Sequence, residues 1–163
     1  VSVQSPEELL AALSNEAIAH IQMPFSILDW RWEESVAEIQ RVKISRQMTI
    51  HIRSVYLQGL LLTRDAEFCR RANCVNTDAL FHWLDDCVVE FDRSSIRELC
   101  VSYVAGLDWV DGVVIGMETC QQLEENLMLF SKPAMTDIQC DRLRASRPIV
   151  ELATLNPALW QQN

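Results

Sequence analysis

The chain has 163 residues, and apolar residues make up 49% of them, so it is long and apolar enough to fold around a core rather than stay disordered. Its formal net charge of −9 argues against a nucleic-acid or anionic-membrane surface, because both require a basic face. No apolar run reaches the roughly 18 to 20 residues that span a bilayer, so we expect no membrane partner.

The strand and helix signals alternate four times along the chain. Strands are predicted at 1–3, 18–23, 48–54 and 112–115. Helices are predicted from Pro6, with Ser5 as the N-cap, and at 32–44, 65–72, 77–91, 94–107, 119–130 and 136–145. Such alternation is typical of parallel strands joined by crossover helices, which indicates an α/β sheet or barrel.

The predicted strands carry polar and apolar residues on alternate positions. His20 and Gln22 alternate with Ile21 and Met23, whereas a parallel strand buried on both faces should be apolar throughout. One face must therefore pack on helices while the other meets polar surroundings. A barrel interior that opens into a polar site explains this pattern, and so does an edge strand with one wet face. We favour the barrel.

The last predicted strand leads through a glycine turn into an amphipathic helix. Leu123, Leu127 and Phe130 fall on one face of that helix, and Thr119 is its predicted N-cap. The turn that begins at Gly116 is expected to present free backbone N–H groups at a strand's carboxyl end and a helix's amino end. In a barrel of strands and helices, that location binds phosphate.

The six cysteines form no C-x-x-C pair and lack zinc-ligand spacing with the histidines. We predict reduced, structural cysteines in a cytoplasmic protein. We predict no metal site, because Asp85 and Asp86 cannot both face His82 on one helix. The chain begins at Val1, inside what reads as a strand, so we expect the natural amino terminus to lie upstream.

Four stretches, in order and at the expected spacing, resemble the second half of the aldo-keto reductase family. They correspond to the ends of that family's fifth to eighth strands and to the helix after the eighth. The four stretches are VSV at 1–3, QMPFSILD at 22–29, SVYLQGLL at 54–61 and GMETCQQLEEN at 116–126.

The resemblance implies a fold and the location of the catalytic residues. The fold would be the carboxyl-terminal half of a TIM (β/α)8 barrel, a single domain over 1–163, with strand–helix units to residue 130 and a helix and tail over 131–163. The family's catalytic Asp, Tyr, Lys and His lie in the other half, so this chain would hold no catalytic residue. We do not assign the family's catalytic role to the histidines and tyrosines of this chain, which are His20, His51, His82, Tyr56 and Tyr103.

The resemblance also implies residues for the nicotinamide end of an NAD or NADP cofactor. Ser2 and Gln22 stand where the family hydrogen-bonds the carboxamide, although Val3 replaces a usual Asn. Arg53 stands where an aromatic residue usually stacks on the ring, and its charge would oppose the oxidised, cationic ring. Ser54 matches the residue beside the pyrophosphate.

The adenosine end is implied by the fourth stretch. Gly116, Thr119, Gln122 and Asn126 match the family positions. Glu118 replaces the Lys or Arg that commonly meets the 2′-phosphate of NADP. A carboxylate there repels phosphate but accepts a hydrogen bond from a free 2′-hydroxyl, so NAD is slightly favoured.

Structural roles remain open beside these functional ones. Gln22 could satisfy backbone groups at a strand end, Arg53 could pair with an acid, and Glu118 could be a solvated helix acid. Gly116 would be required first by the turn.

Two functions therefore follow from the resemblance. The first is the cofactor-binding half of an NAD(P)-dependent oxidoreductase acting on a small carbonyl or alcohol. The alternative is an inactive nucleotide-sensing or partner-binding module. In either case the open strand edges imply an N-terminal half-barrel or a second copy of the chain as partner.

Overall fold

The computed structural model describes residues 1–161, and the last two residues of the predicted tail, Gln162 and Asn163, lie outside the described residues. Within this range no helix is both long and apolar enough to cross a bilayer. The strands are β1 (His20–Pro24), β2 (Thr49–Arg53) and β3 (Gly112–Val114). The helices are α1 (Pro6–Ser14), α2 (Glu33–Ser45), α3 (Ala66–Arg71), α4 (Thr77–Glu90), α5 (Ile96–Ala105), α6 (Cys120–Phe130), α7 (Asp137–Ser146) and α8 (Leu152–Leu155).

The three strands form a parallel sheet in the order β1-β2-β3. The predicted first strand is reduced to a bridge between Ser2 and Gln22. There the Val3 N–H donates to the Gln22 carbonyl at 2.9 Å, and the Gln22 N–H donates to the Val1 carbonyl at 2.8 Å. The four predicted strand positions thus lie side by side in chain order, as in half of a parallel barrel.

The two faces of the sheet differ as the alternation predicted. Ile21, Met23, Ile50 and Ile52 are completely buried at 0% exposure, and they form the core between the sheet and the helices. The side chains on the opposite face of the sheet are polar and open to solvent. Its residues, from exposed to half-buried, are His20, Gln22, Thr49, His51 and Arg53. This polar face is the one that would line the interior of a closed barrel.

Gly112 makes room for a pair of histidine rings on this polar face. The rings of His20 and His51 meet edge to face, with centroids 4.4 Å apart. A Cβ on Gly112 would lie only 2.9 Å from the His51 ring. A larger residue at 112 would therefore push His51 off the sheet.

Local capping signals start the helices where the sequence predicts. The Ser5 hydroxyl accepts a hydrogen bond from the Glu8 N–H at 3.3 Å, and Pro6 is the first residue of α1. Thr119 and Thr136 cap α6 and α7 in the same way. Each cap satisfies an N–H group that the first helical turn leaves without a partner.

An acidic residue ties the amino ends of β2 and β3 together. The Asp111 carboxylate accepts from the Ile50 N–H at 2.7 Å and from Lys43 Nζ at 2.8 Å, and the Asp111 N–H donates to the Ile50 carbonyl at 2.9 Å. Burial works to raise the pKa of Asp111, but the hydrogen bonds from Lys43 and Ile50 outweigh it and lower the pKa. The two strands therefore share a fixed register, which sets their carboxyl ends beside each other.

Two ion pairs link α5 to α6 and to the segment directly after α6. Arg97 pairs with Glu125 at 3.0 Å, and Lys132 Nζ lies 2.5 Å from the buried carboxylate of Glu98. Ser94 also donates to Glu98, through both its N–H and its hydroxyl. Burial works to raise the pKa of Glu98, but the hydrogen bonds from Lys132 and Ser94 lower it to about 2. The carboxylate therefore stays ionised at any ordinary pH.

The apolar stripe of α6 is present but points outward. Leu123, Leu127 and Phe130 are 44%, 62% and 42% exposed. The buried residue of this helix is Asn126, at 7%. The packing of α6 is thus unlike that of α5, whose Leu99 is fully buried.

The structure shows where the cysteines and the acids beside His82 lie. Five cysteines are buried and Cys120 is exposed, and burial raises the pKa of the Cys100 thiol to about 12, which makes that thiol unreactive. Asp86 lies 3.5 Å from His82, while Asp85 pairs instead with Arg64 at 2.7 Å. The two acids face different ways, as helical geometry requires.

Candidate functional site

Two adjoining clefts open at the carboxyl edge of the sheet. The larger, which we call the β2–β3 cleft, has a volume of about 760 Å³ and lies between the loop after β2 and the turn after β3. The smaller, the β1–β2 cleft, has a volume of about 470 Å³. Arg53, Ser54 and Gln58 line both. The clefts therefore form one continuous rim along the ends of three parallel strands, where α/β folds bind ligands.

The loop after β2 is strained where it divides the clefts. Ser54, Leu57 and Gln58 have φ values of 61°, 47° and 53°, the left-handed region that costs a non-glycine residue roughly 1–2 kcal/mol. Gly59, at φ 90°, adopts such a conformation freely. The Gln58 side-chain amide donates to the Ser54 hydroxyl at 3.2 Å and braces the loop. Strain of this kind is concentrated at functional sites.

The turn after β3 uses some of its backbone donors internally. The Gln122 side-chain oxygen accepts from the Glu118 N–H at 2.6 Å and from the Thr119 N–H at 3.3 Å. The Gln122 N–H donates in return to the Thr119 hydroxyl at 3.2 Å. The expectation of free backbone N–H groups is therefore wrong at Glu118 and Thr119, because the capping box takes both.

Gly116 lies in the open wall of the β2–β3 cleft. A Cβ added there would meet no heavy atom within 4 Å, and its φ is outside the left-handed range. The prediction that the turn needs glycine at 116 is therefore wrong. What glycine provides at this position is open space in the cleft.

A half-buried tyrosine, Tyr56, lines the same cleft. The Tyr56 hydroxyl is buried without a hydrogen-bond partner among residues 1–161, and the Arg97 guanidinium lies 6.0 Å from the ring centroid. Burial and, to a smaller extent, the nearby Cys100 raise the pKa of Tyr56 to about 12, against the opposing effect of Arg97. The phenol therefore stays protonated at ordinary pH.

The β1–β2 cleft has a buried ion pair on its wall. Arg31 makes a two-pronged contact with Asp29, through Nε at 2.8 Å and Nη2 at 2.6 Å. The chain's end closes the other side, at Asn156 and Pro157. Because Asp29 is only 2% exposed, the pair acts as a rigid support beside Arg53.

The remaining predicted residues lie away from the β2–β3 cleft. Gln22 lies on β1, opposite His51 of β2 on the polar face. Ser2 pairs with Gln22 on the other side of β1, so it lies farther from β2. Asn126 is buried in α6, and Thr119 caps that helix. The structure thus gathers part of the predicted set in one cleft. The gathered residues are Arg53, Ser54, Gly116, Glu118 and Gln122.

Several residues of the rim were missed from the sequence. Tyr56 and Gln58 line the β2–β3 cleft, and the signal that could have found them is Gly59, which marks a tight loop directly after a strand. Arg31 and the tail beside Asn156 line the β1–β2 cleft. No sequence pattern marks these two, since both reach the rim through contacts that are distant along the chain.

Together, the parallel β/α units and the rim define an α/β fold that matches half of an aldo-keto reductase TIM barrel. A solved structure of similar fold is the aldo-keto reductase AKR11C1 of Bacillus halodurans in its holo form, at 20% sequence identity and a TM-score of 0.70, over 94% of this chain and 51% of that chain. The apo form gives a TM-score of 0.65 at 20% identity, over 94% and 52%. No family model and no curated protein matches the sequence. This chain therefore spans about half the length of the solved chains it resembles.

Proposed function

We propose that this chain is the cofactor-binding half of an NAD(P)-dependent oxidoreductase of aldo-keto reductase type. The observation that carries the proposal is the β2–β3 cleft, where Arg53, Ser54, Gly116 and Glu118 meet at the ends of adjacent parallel strands. The likeness to AKR11C1, including its holo form, supports the same assignment. The reaction would be reduction of a small carbonyl compound or oxidation of an alcohol.

The cleft has the space and the donors that a dinucleotide needs. A Cβ at Gly116 would meet no heavy atom within 4 Å, so the residue leaves room for a ligand. Ser54 would bind the pyrophosphate, because a hydroxyl donates to phosphate oxygens, and the Arg53 guanidinium would stack on the nicotinamide ring. When bound, the nicotinamide would supply or accept hydride.

The two ends of the cofactor would bind at different strands. Ser2 and Gln22, on the polar face beside β2, would hold the carboxamide, to which a hydroxyl and an amide can both hydrogen-bond. Gly116, Gln122 and the start of α6 would border the adenosine, with Thr119 and Asn126 supporting that helix. Glu118 would accept from the ribose 2′-hydroxyl.

This chain would not supply the proton. The family's proton donor and its supporting residues would come from a second half-barrel, in line with the half-length match. Tyr56 is unsuited to the role, since its pKa of about 12 lies far above the operating pH at which a general acid is effective.

Calorimetric titration of the chain with NAD⁺ and NADP⁺ tests the proposal. We expect micromolar dissociation constants, tighter for NAD⁺, and no turnover when NADH and small aldehydes are added to the chain alone. Absence of binding to either nucleotide contradicts the cofactor assignment. Turnover by the isolated chain contradicts the proposal that the catalytic residues lie in a second half-barrel.

A second candidate is an inactive nucleotide-sensing or partner-binding module. It is favoured by the capping box, which occupies the Glu118 and Thr119 N–H groups, and by the departures at Val3 and Arg53 from the family pattern. Under this alternative there is no turnover even when a complementary half-barrel is present, and a module that has lost the site binds neither NAD⁺ nor NADP⁺. The reductase assignment requires turnover in that mixture.

A further inference from the structure

The Gln122 side chain folds back on the turn that precedes its own helix. Its side-chain oxygen accepts from the Glu118 N–H at 2.6 Å and from the Thr119 N–H at 3.3 Å. These two donors lie at the amino end of α6, where backbone N–H groups and the helix dipole together attract anions. A neutral amide oxygen therefore occupies the place that a phosphate oxygen of a ligand would take.

The occupied donors border the β2–β3 cleft. Glu118 and Gln122 both line this cleft, whereas Cys120 and Gln121, the first two residues of α6, do not. A phosphate in the cleft would thus meet the Gln122 amide before it reached the backbone of the first helical turn.

The charges at this end of the cleft also disfavour an anion. Within residues 1–161 the cleft is lined by one cation, Arg53, at the end of β2, and by one anion, Glu118, before the start of α6. Arg97, on the neighbouring helix α5, is paired with Glu125 at 3.0 Å. The cations of the described chain therefore do not replace, for an anion beside α6, the donors that Gln122 holds.

We propose that Gln122 is a specificity-determining residue, which restricts the α6 end of the cleft to a ribose with a free 2′-hydroxyl by denying two backbone donors to a 2′-phosphate. The inference rests on the proposed function, since it concerns the adenosine end of a bound dinucleotide. NADP⁺ must break both hydrogen bonds of the amide before its phosphate can use these donors, whereas NAD⁺ leaves them intact. Specificity of this kind comes from a penalty on the wrong ligand rather than from an added contact with the right one.

Helix α7 begins with the same arrangement away from the clefts. The Gln139 side-chain oxygen accepts from the Thr136 N–H at 3.0 Å, and the Gln139 N–H donates to the Thr136 hydroxyl at 3.3 Å. Gln139 lines neither the β1–β2 nor the β2–β3 cleft. Loss of this second amide removes a helix cap without freeing a donor beside the nucleotide, so Gln139 provides the matched control.

The test is paired titration of the whole chain with NAD⁺ and NADP⁺, for the parent and three variants. In Gln122→Met, which keeps the side-chain length but loses the amide, the ratio of the NADP⁺ to the NAD⁺ dissociation constant should fall by about tenfold or more, as expected for regained charge-assisted hydrogen bonds. Glu118 stays in place in this variant, so its charge does not contribute to the change. Gln122→Glu retains an acceptor for both N–H groups and should keep or raise the ratio. Gln139→Met should lose as much stability in urea as Gln122→Met and leave the ratio unchanged.

A fall in the ratio confined to Gln122→Met is the result that the inference requires. If the parent binds NAD⁺ and the ratio is unchanged in Gln122→Met, the inference is wrong and the proposed function stands. An equal fall in Gln139→Met also overturns the inference, because a loosened helix end rather than two freed donors would then explain it. If neither nucleotide binds to the parent or to any variant, the proposed function fails and the inference fails with it.

Discussion

Replacing Gly116 with valine tests whether the space at this position is needed for ligand binding, with little expected effect on protein stability. A Cβ at 116 meets no heavy atom within 4 Å and needs no left-handed backbone, so the free energy of unfolding should change by less than about 0.5 kcal/mol. The two methyl groups would instead occupy the β2–β3 cleft. We expect the dissociation constant for NAD⁺ to rise at least tenfold, which corresponds to about 1.4 kcal/mol.

Gly106→Ala is the matched control with the opposite behaviour. Its Cβ would lie 2.3 Å from the Met135 carbonyl oxygen, a backbone clash that should lower the free energy of unfolding by about 1–3 kcal/mol. Gly106 lies outside the β2–β3 cleft, so nucleotide affinity of the folded protein should not change. Urea unfolding and fluorescence titration measure the two effects. If Gly116→Val binds NAD⁺ as tightly as the parent, the dinucleotide does not lie along this wall of the cleft.

Three further substitutions test the electrostatics and capping of the site. Glu118→Lys should improve NADP⁺ binding relative to NAD⁺ about tenfold in paired titrations, because the lysine would donate one charge-assisted hydrogen bond to the 2′-phosphate. An unchanged ratio of the two affinities would mean that the 2′ group of the ribose does not lie beside residue 118. Thr119→Ala should lower the free energy of unfolding by about 1 kcal/mol in urea, and no loss would mean that α6 does not depend on its cap. Glu98→Gln should cost about 2 kcal/mol at neutral pH, against less than about 1 kcal/mol for the control Glu125→Gln, whose carboxylate is half-exposed. Since the pKa of Glu98 is lowered from 4.5 to about 2 in the folded protein, its stabilisation is complete above pH 4.5 and lost as the pH falls towards 2. The two Glu98 forms should therefore converge at that acidic end, and a constant difference across this range would contradict the assignment.

Local patterns predicted the fold well. The alternation of His20 and Gln22 with Ile21 and Met23 gave the correct polar and apolar faces of β1, because side chains of a strand alternate by geometry alone. Thr119 was correctly predicted as an N-cap for a similarly local reason. Such signals depend on near neighbours, so no tertiary information is needed to interpret them.

The site was harder to predict, because one residue can serve the fold or the ligand. Gln122 was assigned to the cofactor, yet its side chain accepts from the Glu118 and Thr119 N–H groups. The T-x-x-Q spacing of Thr119 and Gln122 is the sequence signature of a capping box and could have revealed this competition. Gly116 was assigned to the cofactor site and expected to be required first by the turn, yet its backbone does not adopt the left-handed conformation that needs glycine.

Contacts between distant segments could not be predicted at all. The tail reaches the β1–β2 cleft through hydrogen bonds such as Trp30 Nε1 to the Val150 carbonyl at 3.1 Å and Asn73 to the Leu159 carbonyl at 3.1 Å. The left-handed backbone of Ser54 is equally invisible, because the sequence shows no glycine there. Packing decides both features, and a single sequence carries no record of it.

The last β/α unit distributes its polarity in an unusual way. Leu127 and Met128 are exposed on α6, and His51 and Arg53 lie half-exposed on the sheet face. The polar side chains of the sheet are well solvated in water, whereas exposed apolar side chains are unfavourable there. The apolar stripe of α6, rather than the sheet face, is therefore the part of this unit whose free energy would fall most on being covered.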